Sequence, residues 1–182
     1  MIIYFHGFYG SPKKEREEFF KTIADSTEYY EPKIDYQNPV ESIEKLKEAL
    51  REKIENNKDD TVMFVGSSLG GFLAEFFAHY FRCEPKIVLI NPSMKPYETL
   101  LKYDGYTQEK ANSFLAYRVG NRRAQTTVIL DNKDDVIDLD YTRTLFADSS
   151  HIIDIYEDGH RFSKYEKYRH IFEQAYNNLI EC

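Results

Sequence analysis

Short runs of branched apolar residues alternate with longer amphipathic segments along almost the whole chain. The runs lack alternating polar residues and predict strands at Ile2–Phe5, Thr61–Val65, Lys86–Ile90, Thr126–Leu130 and Ile152–Tyr156. Strands of this composition are typical of sheets covered on both faces, and strands that alternate with helices form mostly parallel sheets. A weaker strand is predicted around Ile34 and Tyr36. The pattern therefore predicts the α/β class, with an open, mostly parallel sheet and helices on both faces.

Helices are predicted in the segments between these strands. Asn38-Pro39-Val40-Glu41 has the form of an N-cap followed by proline at the first helical position, and the apolar residues of the next 15 or so positions recur at spacings of three and four. Further helices are predicted over Lys13–Ser26, Leu69–Phe81 and Tyr165–Ile180. The strand-free stretch Pro92–Gln125 is expected to form one or two helices that act as a lid or a substrate wall.

The length and composition favour a single domain over residues 1–182. Of the 182 residues, 42% are hydrophobic, which is enough for one core. The net charge of -7 argues against binding to nucleic acid, which requires clustered Lys and Arg. The two cysteines, Cys83 and Cys182, predict no disulfide framework. With no apparent signal sequence and no apolar run long enough to span a membrane, we expect a cytoplasmic protein of undetermined oligomeric state.

The segment "MFVGSSLGGF" places glycine and serine between a predicted strand and a predicted helix. Gly66-x-Ser68-x-Gly70 within it has the form of a nucleophile elbow, a sharp turn that projects a serine hydroxyl above the sheet. The glycines allow the strand and the helix to approach each other closely. A phosphate-binding loop is disfavoured because the lysine and the glycine spacing of such loops are missing. Ser68 is therefore the candidate nucleophile.

A serine hydroxyl is a weak nucleophile unless a base takes its proton and a third group orients that base. In hydrolases built on this kind of sheet, the chain order is serine, then an acid, then histidine. His160 follows the last predicted strand and is the candidate base. The other histidines lie inside helices, before a strand or ahead of the serine; they are His6, His79, His151 and His170.

The candidate acid lies in the loop after the Thr126–Leu130 strand. Asp134 is favoured because apolar residues directly behind it anchor the loop, and an acidic loop that is merely solvated remains an alternative. The competing carboxylates are Asp131, Asp135 and Asp138. A serine, an acid and a histidine at three separate strand ends favour a hydrolase over a non-catalytic binding protein of the same fold, which stays as the alternative.

Several segments spread over nearly the whole chain resemble one known family. They are "IIYFHGFYGSP", "VGSSLGGF", "INPSMKPYETLLKYDG", "DDVID" and "GHRF". In these segments the chain resembles the α/β-hydrolase superfamily, and more narrowly the small bacterial YqiA-type esterases.

The resemblance implies hydrolysis of a small carboxylic ester or thioester without a cofactor or a metal. It implies Ser68 as the nucleophile, His160 as the general base and Asp134 as the residue that orients it. It also implies an oxyanion hole formed by the backbone N–H groups of Phe8 and Leu69. The residues do not separate esters from thioesters, because the same nucleophile and oxyanion hole serve both.

Overall fold

In the part of the chain that the structure describes, six parallel strands form a central sheet. The structure is a computed structural model that describes residues 1–23, 28–57, 61–81, 86–120, 126–148, 150–157 and 159–177. The strands are β1 (Ile2–Phe5), β2 (Tyr29–Tyr30), β3 (Met63–Ser67), β4 (Lys86–Ile90), β5 (Thr126–Asp131) and β6 (Ser150–Ile155). Their order in the sheet is β2-β1-β3-β4-β5-β6, and every neighbouring pair is parallel.

Helices follow most of the strands. The α-helices within the described residues are α1 (Lys14–Ile23), α2 (Pro39–Glu55), α3 (Leu69–Tyr80), α4 (Pro96–Thr99), α5 (Gln108–Asn112), α6 (Leu139–Phe146) and α7 (Arg169–Asn177). Three 3₁₀ helices accompany them at Leu100–Lys102, Ser113–Tyr117 and Glu166–Tyr168. No helix in these described segments is both long and apolar enough to cross a lipid bilayer.

Successive residues of each strand point to opposite faces of the sheet, and both faces are buried. On one face, strand residues such as Phe5 and Phe64 pack with the apolar residues of α2, α3 and α6. On the other face, Tyr4 and Val65 pack with α1 and α7. This two-sided burial explains why the strands read as continuous apolar runs.

The structure differs from the sequence predictions in two elements, and several strand bounds differ by one or two residues. The second strand is Tyr29–Tyr30, and the prediction around Ile34 and Tyr36 was wrong, although both of these side chains are buried in the loop that follows. Helix α6 was not predicted; it begins after Asp138, whose side chain accepts a hydrogen bond from the Tyr141 N–H and caps the helix. Some predictions concern residues outside the described ranges; these are Ser26, residues 58–60, Cys83, residues 121–125, residues 178–180 and Cys182.

The sheet order changes direction at β1. The chain passes from β1 to β2 on one side and then returns to place β3 on the other side of β1. In open parallel sheets, ligands bind at the carboxyl ends of the strands beside such a switch point. The loop after β1 and the turn after β3, which contains Ser68, meet at this edge.

Candidate active site

Ser68 occupies a strained turn between β3 and α3. Its φ of 54° and ψ of -124° lie outside the regions that non-glycine residues normally adopt, and such conformations persist only where the surroundings hold them. Here the Ser68 N–H donates to the Ile90 carbonyl and the Ser68 carbonyl accepts from the Ser93 N–H, both at 2.9 Å. The end of β4 therefore fixes the turn that presents the Ser68 hydroxyl.

The elbow glycines allow α3 to start directly against the sheet. A Cβ atom on Gly66 would lie 2.2 Å from the Gly70 carbonyl oxygen, and one on Gly70 would lie 2.0 Å from the Phe5 carbonyl oxygen. These atoms belong to the backbone and cannot move aside easily. Gly71, which the sequence analysis did not single out, similarly leaves room for the ring of Pro92.

A continuous row of hydrogen bonds joins Ser68, His160 and Asp134. The Ser68 Oγ lies 2.8 Å from His160 Nε2, and His160 Nδ1 lies 2.7 Å from Asp134 Oδ2. With the proton placed on Nδ1, the ring donates to the carboxylate and its Nε2 accepts from the serine hydroxyl. The structure thus brings together three side chains that the sequence analysis singled out, from the ends of three strands.

Asp134, and not Asp135, is the carboxylate that contacts His160. Its second oxygen, Oδ1, accepts hydrogen bonds from the N–H groups of Val136 at 2.8 Å and Ile137 at 3.2 Å. These bonds orient the buried carboxylate toward the imidazole. Asp135 is exposed, and Asp138 caps helix α6.

Asp131 is buried and supports the loop that contains His160. Its Oδ2 accepts from the N–H groups of Glu157 and Gly159, at 3.1 and 3.0 Å, and its Oδ1 accepts from the Lys133 N–H at 2.9 Å. The carboxylate therefore joins the loop after β5 to the loop after β6. Gly159 has a φ of 76°, which favours glycine, and a Cβ there would lie 2.9 Å from the Lys133 carbonyl oxygen.

Asn91 is a second buried residue that holds this region, and the sequence analysis did not identify it. Its side-chain oxygen accepts from the Asp131 N–H at 2.7 Å. Its amide group donates to the carbonyl oxygens of Gly159 and His160, at 3.1 and 3.4 Å. Asn91 also has a positive φ of 43°, which asparagine tolerates better than most residues. The only signal in the sequence was the position of this polar residue directly after a buried strand. That position did not indicate which groups Asn91 would bond.

The loop after β1 lies directly against Ser68. A Cβ atom on Gly7 would lie 3.0 Å from the Ser68 Cβ and 3.5 Å from its Oγ. Phe8 follows Gly7 and is partly buried, and Leu69 is the buried first residue of α3. N–H groups in the first turn of a helix have no acceptor within the helix and suit negative charge. Of the two predicted oxyanion residues, Leu69 therefore follows Ser68 in the chain, and Phe8 follows the glycine that packs against the Ser68 side chain.

The side chain of His6 makes two hydrogen bonds that hold this loop. Its Nδ1 lies 2.9 Å from the Gly7 carbonyl oxygen, and its Nε2 lies 3.2 Å from the Ile34 N–H and accepts from it. This pair of contacts requires the neutral ring with the proton on Nδ1. Burial lowers the pKa of His6, since it disfavours the charged imidazolium. The remaining histidines, His79, His151 and His170, are exposed.

Residues 92–120 cover the sheet beside this site and are rich in aromatic side chains. Phe114 packs on Phe72, and Tyr117 packs on Phe76, so that this segment is joined to α3. Tyr103 and Tyr106 contact Phe8 instead. Within the described residues, His, Cys, Asp and Glu side chains form no group of three that could hold a metal ion.

The profile of a family described as "Uncharacterised protein family (UPF0227)" matches residues 1–174. A UPF0227 protein of Citrobacter koseri is 28% identical over 151 residues, which cover 76% of this chain and 77% of the relative. The UPF0227 protein YcfP of Escherichia coli is 26% identical over 175 residues, which cover 89% of this chain and 91% of the relative.

Solved structures of distant sequence share the fold. Est1E from Butyrivibrio proteoclasticus superposes with a TM-score of 0.75 at 12% identity, over 95% of this chain and 85% of Est1E. A Xanthomonas campestris protein described as a member of the α/β serine hydrolases without lid superposes with a TM-score of 0.61 at 12% identity. That match covers 100% of this chain and 83% of the other. At sequence identities this low, the similarity shows that the fold is shared.

Proposed function

We propose, from the premise that the chain belongs to the UPF0227 family and has the α/β-hydrolase fold, that it is a serine hydrolase of small carboxylic esters or thioesters. One observation carries the proposal: the unbroken hydrogen-bonded row from the Asp134 carboxylate through His160 to the Ser68 hydroxyl. A hydroxyl in this arrangement can lose its proton to the imidazole as it attacks a carbonyl carbon. The strained elbow that presents Ser68 supports the same role.

In the proposed first step, His160 Nε2 takes the proton of Ser68 while the serine oxygen attacks the acyl carbon. The carboxylate of Asp134 holds the ring in the required tautomer and stabilises the imidazolium that forms. The backbone N–H groups of Phe8 and Leu69 would receive the oxyanion, and loss of one such donor typically lowers turnover about 100- to 1000-fold. The imidazolium then protonates the departing alcohol or thiol.

The resulting acyl-enzyme is an ester of Ser68. In the second half of the reaction, His160 takes a proton from water, and the hydroxide attacks the same carbonyl carbon. The oxyanion returns to the same two N–H groups. Collapse of this intermediate breaks the bond to the Ser68 oxygen, which takes the proton back from His160, and releases the carboxylic acid.

A fluorophosphonate probe tests this proposal directly, because it forms a stable bond only with an activated serine. Intact mass measurement of the purified protein is expected to show one adduct, which the Ser68→Ala variant lacks. Phenylmethylsulfonyl fluoride, a smaller reagent, serves as a parallel probe in case size excludes the first. Folded wild-type protein that reacts with neither reagent would overturn the proposal and favour a non-catalytic binding protein.

A further inference from the structure

Three aromatic side chains form a partly open surface beside Ser68, which we call the aromatic platform: Phe8, Tyr9 and Tyr103. The Phe8 ring lies 4.5 Å from the Tyr9 ring and 5.1 Å from the Tyr103 ring, measured between centroids. Tyr9 and Tyr103 meet edge to face at 5.4 Å. Tyr9 is 75% exposed, whereas Phe8 and Tyr103 are partly buried. The platform therefore presents aromatic surface to solvent.

Two buried tyrosines support the platform from behind. Tyr106 contacts the Phe8 ring edge to face at 5.5 Å, and its hydroxyl donates to the Tyr36 carbonyl at 2.9 Å. The Tyr36 hydroxyl in turn donates to the His6 carbonyl, and its ring lies 6.1 Å from that of Phe8. These bonds fix the rear of the platform, so that its open side is already formed before a ligand arrives.

The platform is placed at the proposed reaction centre. Phe8 directly follows Gly7, which packs against the Ser68 side chain. Burial raises the pKa of Tyr103, and the neighbouring Tyr9 and the charge of Asp134 raise it further. A ligand held on the platform would therefore lie beside Phe8, whose backbone N–H is a predicted oxyanion donor and whose preceding residue packs against Ser68.

We propose that the aromatic platform binds an aromatic ring of the ester substrate, next to the scissile carbonyl. This inference rests on the proposed serine hydrolase function. Aromatic rings attract one another in offset and edge-to-face arrangements beyond the effect of buried area, which a saturated ring of equal size does not gain. Tyr9 and Tyr103 also carry hydroxyl groups, which can donate or accept hydrogen bonds with polar substituents on such a ring.

A contiguous exposed apolar patch often marks an interaction site, and its position decides which partner fits. Phe8 of the platform directly follows Gly7, which packs against the Ser68 side chain. We therefore assign the platform to a substrate, because a protein bound there would block access to the nucleophile. The ring could belong to the acyl part or to the alcohol part of the ester. Both share the same stacking chemistry, and matched substrates separate them.

Two substrate pairs test the proposal with purified wild-type protein. Ethyl 3-phenylpropanoate and ethyl 3-cyclohexylpropanoate differ only in the acyl ring, and benzyl butanoate and cyclohexylmethyl butanoate differ only in the alcohol ring. Acid release is followed by titration, which requires no aromatic reporter group. In at least one pair, we expect kcat/KM to be about two- to tenfold higher for the aromatic member.

Variants locate the preference on the platform. Tyr9→Leu and Tyr103→Leu remove an aromatic face and retain apolar bulk, and each is expected to bring the aromatic-to-saturated ratio toward one. Tyr80→Leu is the matched control, since Tyr80 lies at the far end of α3 and is partly exposed. This control is expected to keep the wild-type ratio.

The two proposals fail in different ways. Equal rates within both pairs, from wild-type protein that reacts with the fluorophosphonate probe, would overturn the aromatic site and leave the hydrolase. A preference that persists in both Tyr9→Leu and Tyr103→Leu would also overturn it. Wild-type protein that neither reacts with the probe nor cleaves any of the four esters would overturn both proposals together.

Discussion

The side-chain oxygen of Asn91 accepts a hydrogen bond from the backbone N–H of Asp131 at 2.7 Å, and this bond joins the ends of β4 and β5. The amide group of Asn91 continues the link to the carbonyls of Gly159 and His160. Asp131 holds the same loop through the N–H groups of Glu157 and Gly159. The position of the proposed base therefore depends on two buried polar side chains, those of Asn91 and Asp131.

Asn91→Gly tests this dependence without adding backbone strain, because glycine tolerates the positive φ of the site. The variant leaves the Asp131 N–H without its partner, which is expected to lower the free energy of unfolding by about 1–3 kcal/mol. Displacement of His160 is expected to slow fluorophosphonate labelling on the order of 10- to 100-fold. Labelling is measured well below the melting temperature of the variant, and a wild-type rate there would show that Asn91 serves stability alone.

Asp134→Asn is expected to lower kcat by about 10⁴-fold with little change in fold. The asparagine oxygen can still accept from the N–H groups of Val136 and Ile137, which turns its NH₂ group toward His160. The ring must then accept at Nδ1 and carry its proton on Nε2, where it can no longer accept from Ser68. Ester hydrolysis by the purified variant is the measurement.

The matched control is Asp135→Asn, one residue away and exposed. It is expected to retain the wild-type rate. A large loss in Asp135→Asn, together with a small loss in Asp134→Asn, would contradict the assignment of the acid.

Gly70→Ala is expected to prevent stable folding, because the new Cβ would overlap the Phe5 carbonyl at 2.0 Å. We expect a loss of at least about 3 kcal/mol in the free energy of unfolding. Gly120→Ala is the control, since a Cβ on Gly120 meets no atom of the described residues within 4 Å and its φ is not in the positive range. Denaturant unfolding followed by circular dichroism separates the two; similar midpoints would contradict the close approach of α3 and β1.

His6 is expected to make stability depend on pH. Burial lowers its pKa in the folded state below the usual value of about 6.5. Below pH 6.5, His6 therefore binds more protons in the unfolded chain than in the folded protein. The contribution of His6 to stability is complete above that pH and is lost as the pH falls toward the lowered pKa. Protonation would also break the bond that Nε2 accepts from the Ile34 N–H.

His6→Gln removes this titration and retains an acceptor for the Ile34 N–H. Urea unfolding between pH 5 and 7.5 is expected to show a smaller loss of stability in this variant than in wild type. His79→Gln changes an exposed histidine and is expected to follow the wild-type curve. Parallel curves for wild type and His6→Gln would contradict the prediction.

The parts of the fold that the sequence predicted are those with strong local patterns. Strand β4 has the predicted bounds Lys86–Ile90, and α2 begins at Pro39 after Asn38, although the Asn38 side chain bonds Asp35 and makes no capping bond. The resemblance to the family and the fold class are confirmed by the comparisons. Local pattern and fold agree here because α2 is long and β4 is buried at every residue after Lys86.

The predictions that differed depended on contacts between distant residues. Strand β2 is only two residues long, and the burial of Ile34 and Tyr36 comes from their packing against the loop after β1. Apolar residues in such a loop look like a strand when read locally. For the site, Ser68, Asp134 and His160 follow a known order along the chain. Asn91, in contrast, bonds partners 40 and 68 residues away, which no local pattern indicates.

The order of the strands along the chain determines the order in which they can join the sheet during synthesis. From β3 to β6, each new strand is added beside the previous one, so that the sheet grows toward one edge as the chain lengthens. His160 comes 92 residues after Ser68, a delay of about 5–20 s at typical rates of translation. In the proposed mechanism the nascent chain carries its serine without a base throughout this interval, so hydrolysis begins only when the last strand has joined the sheet.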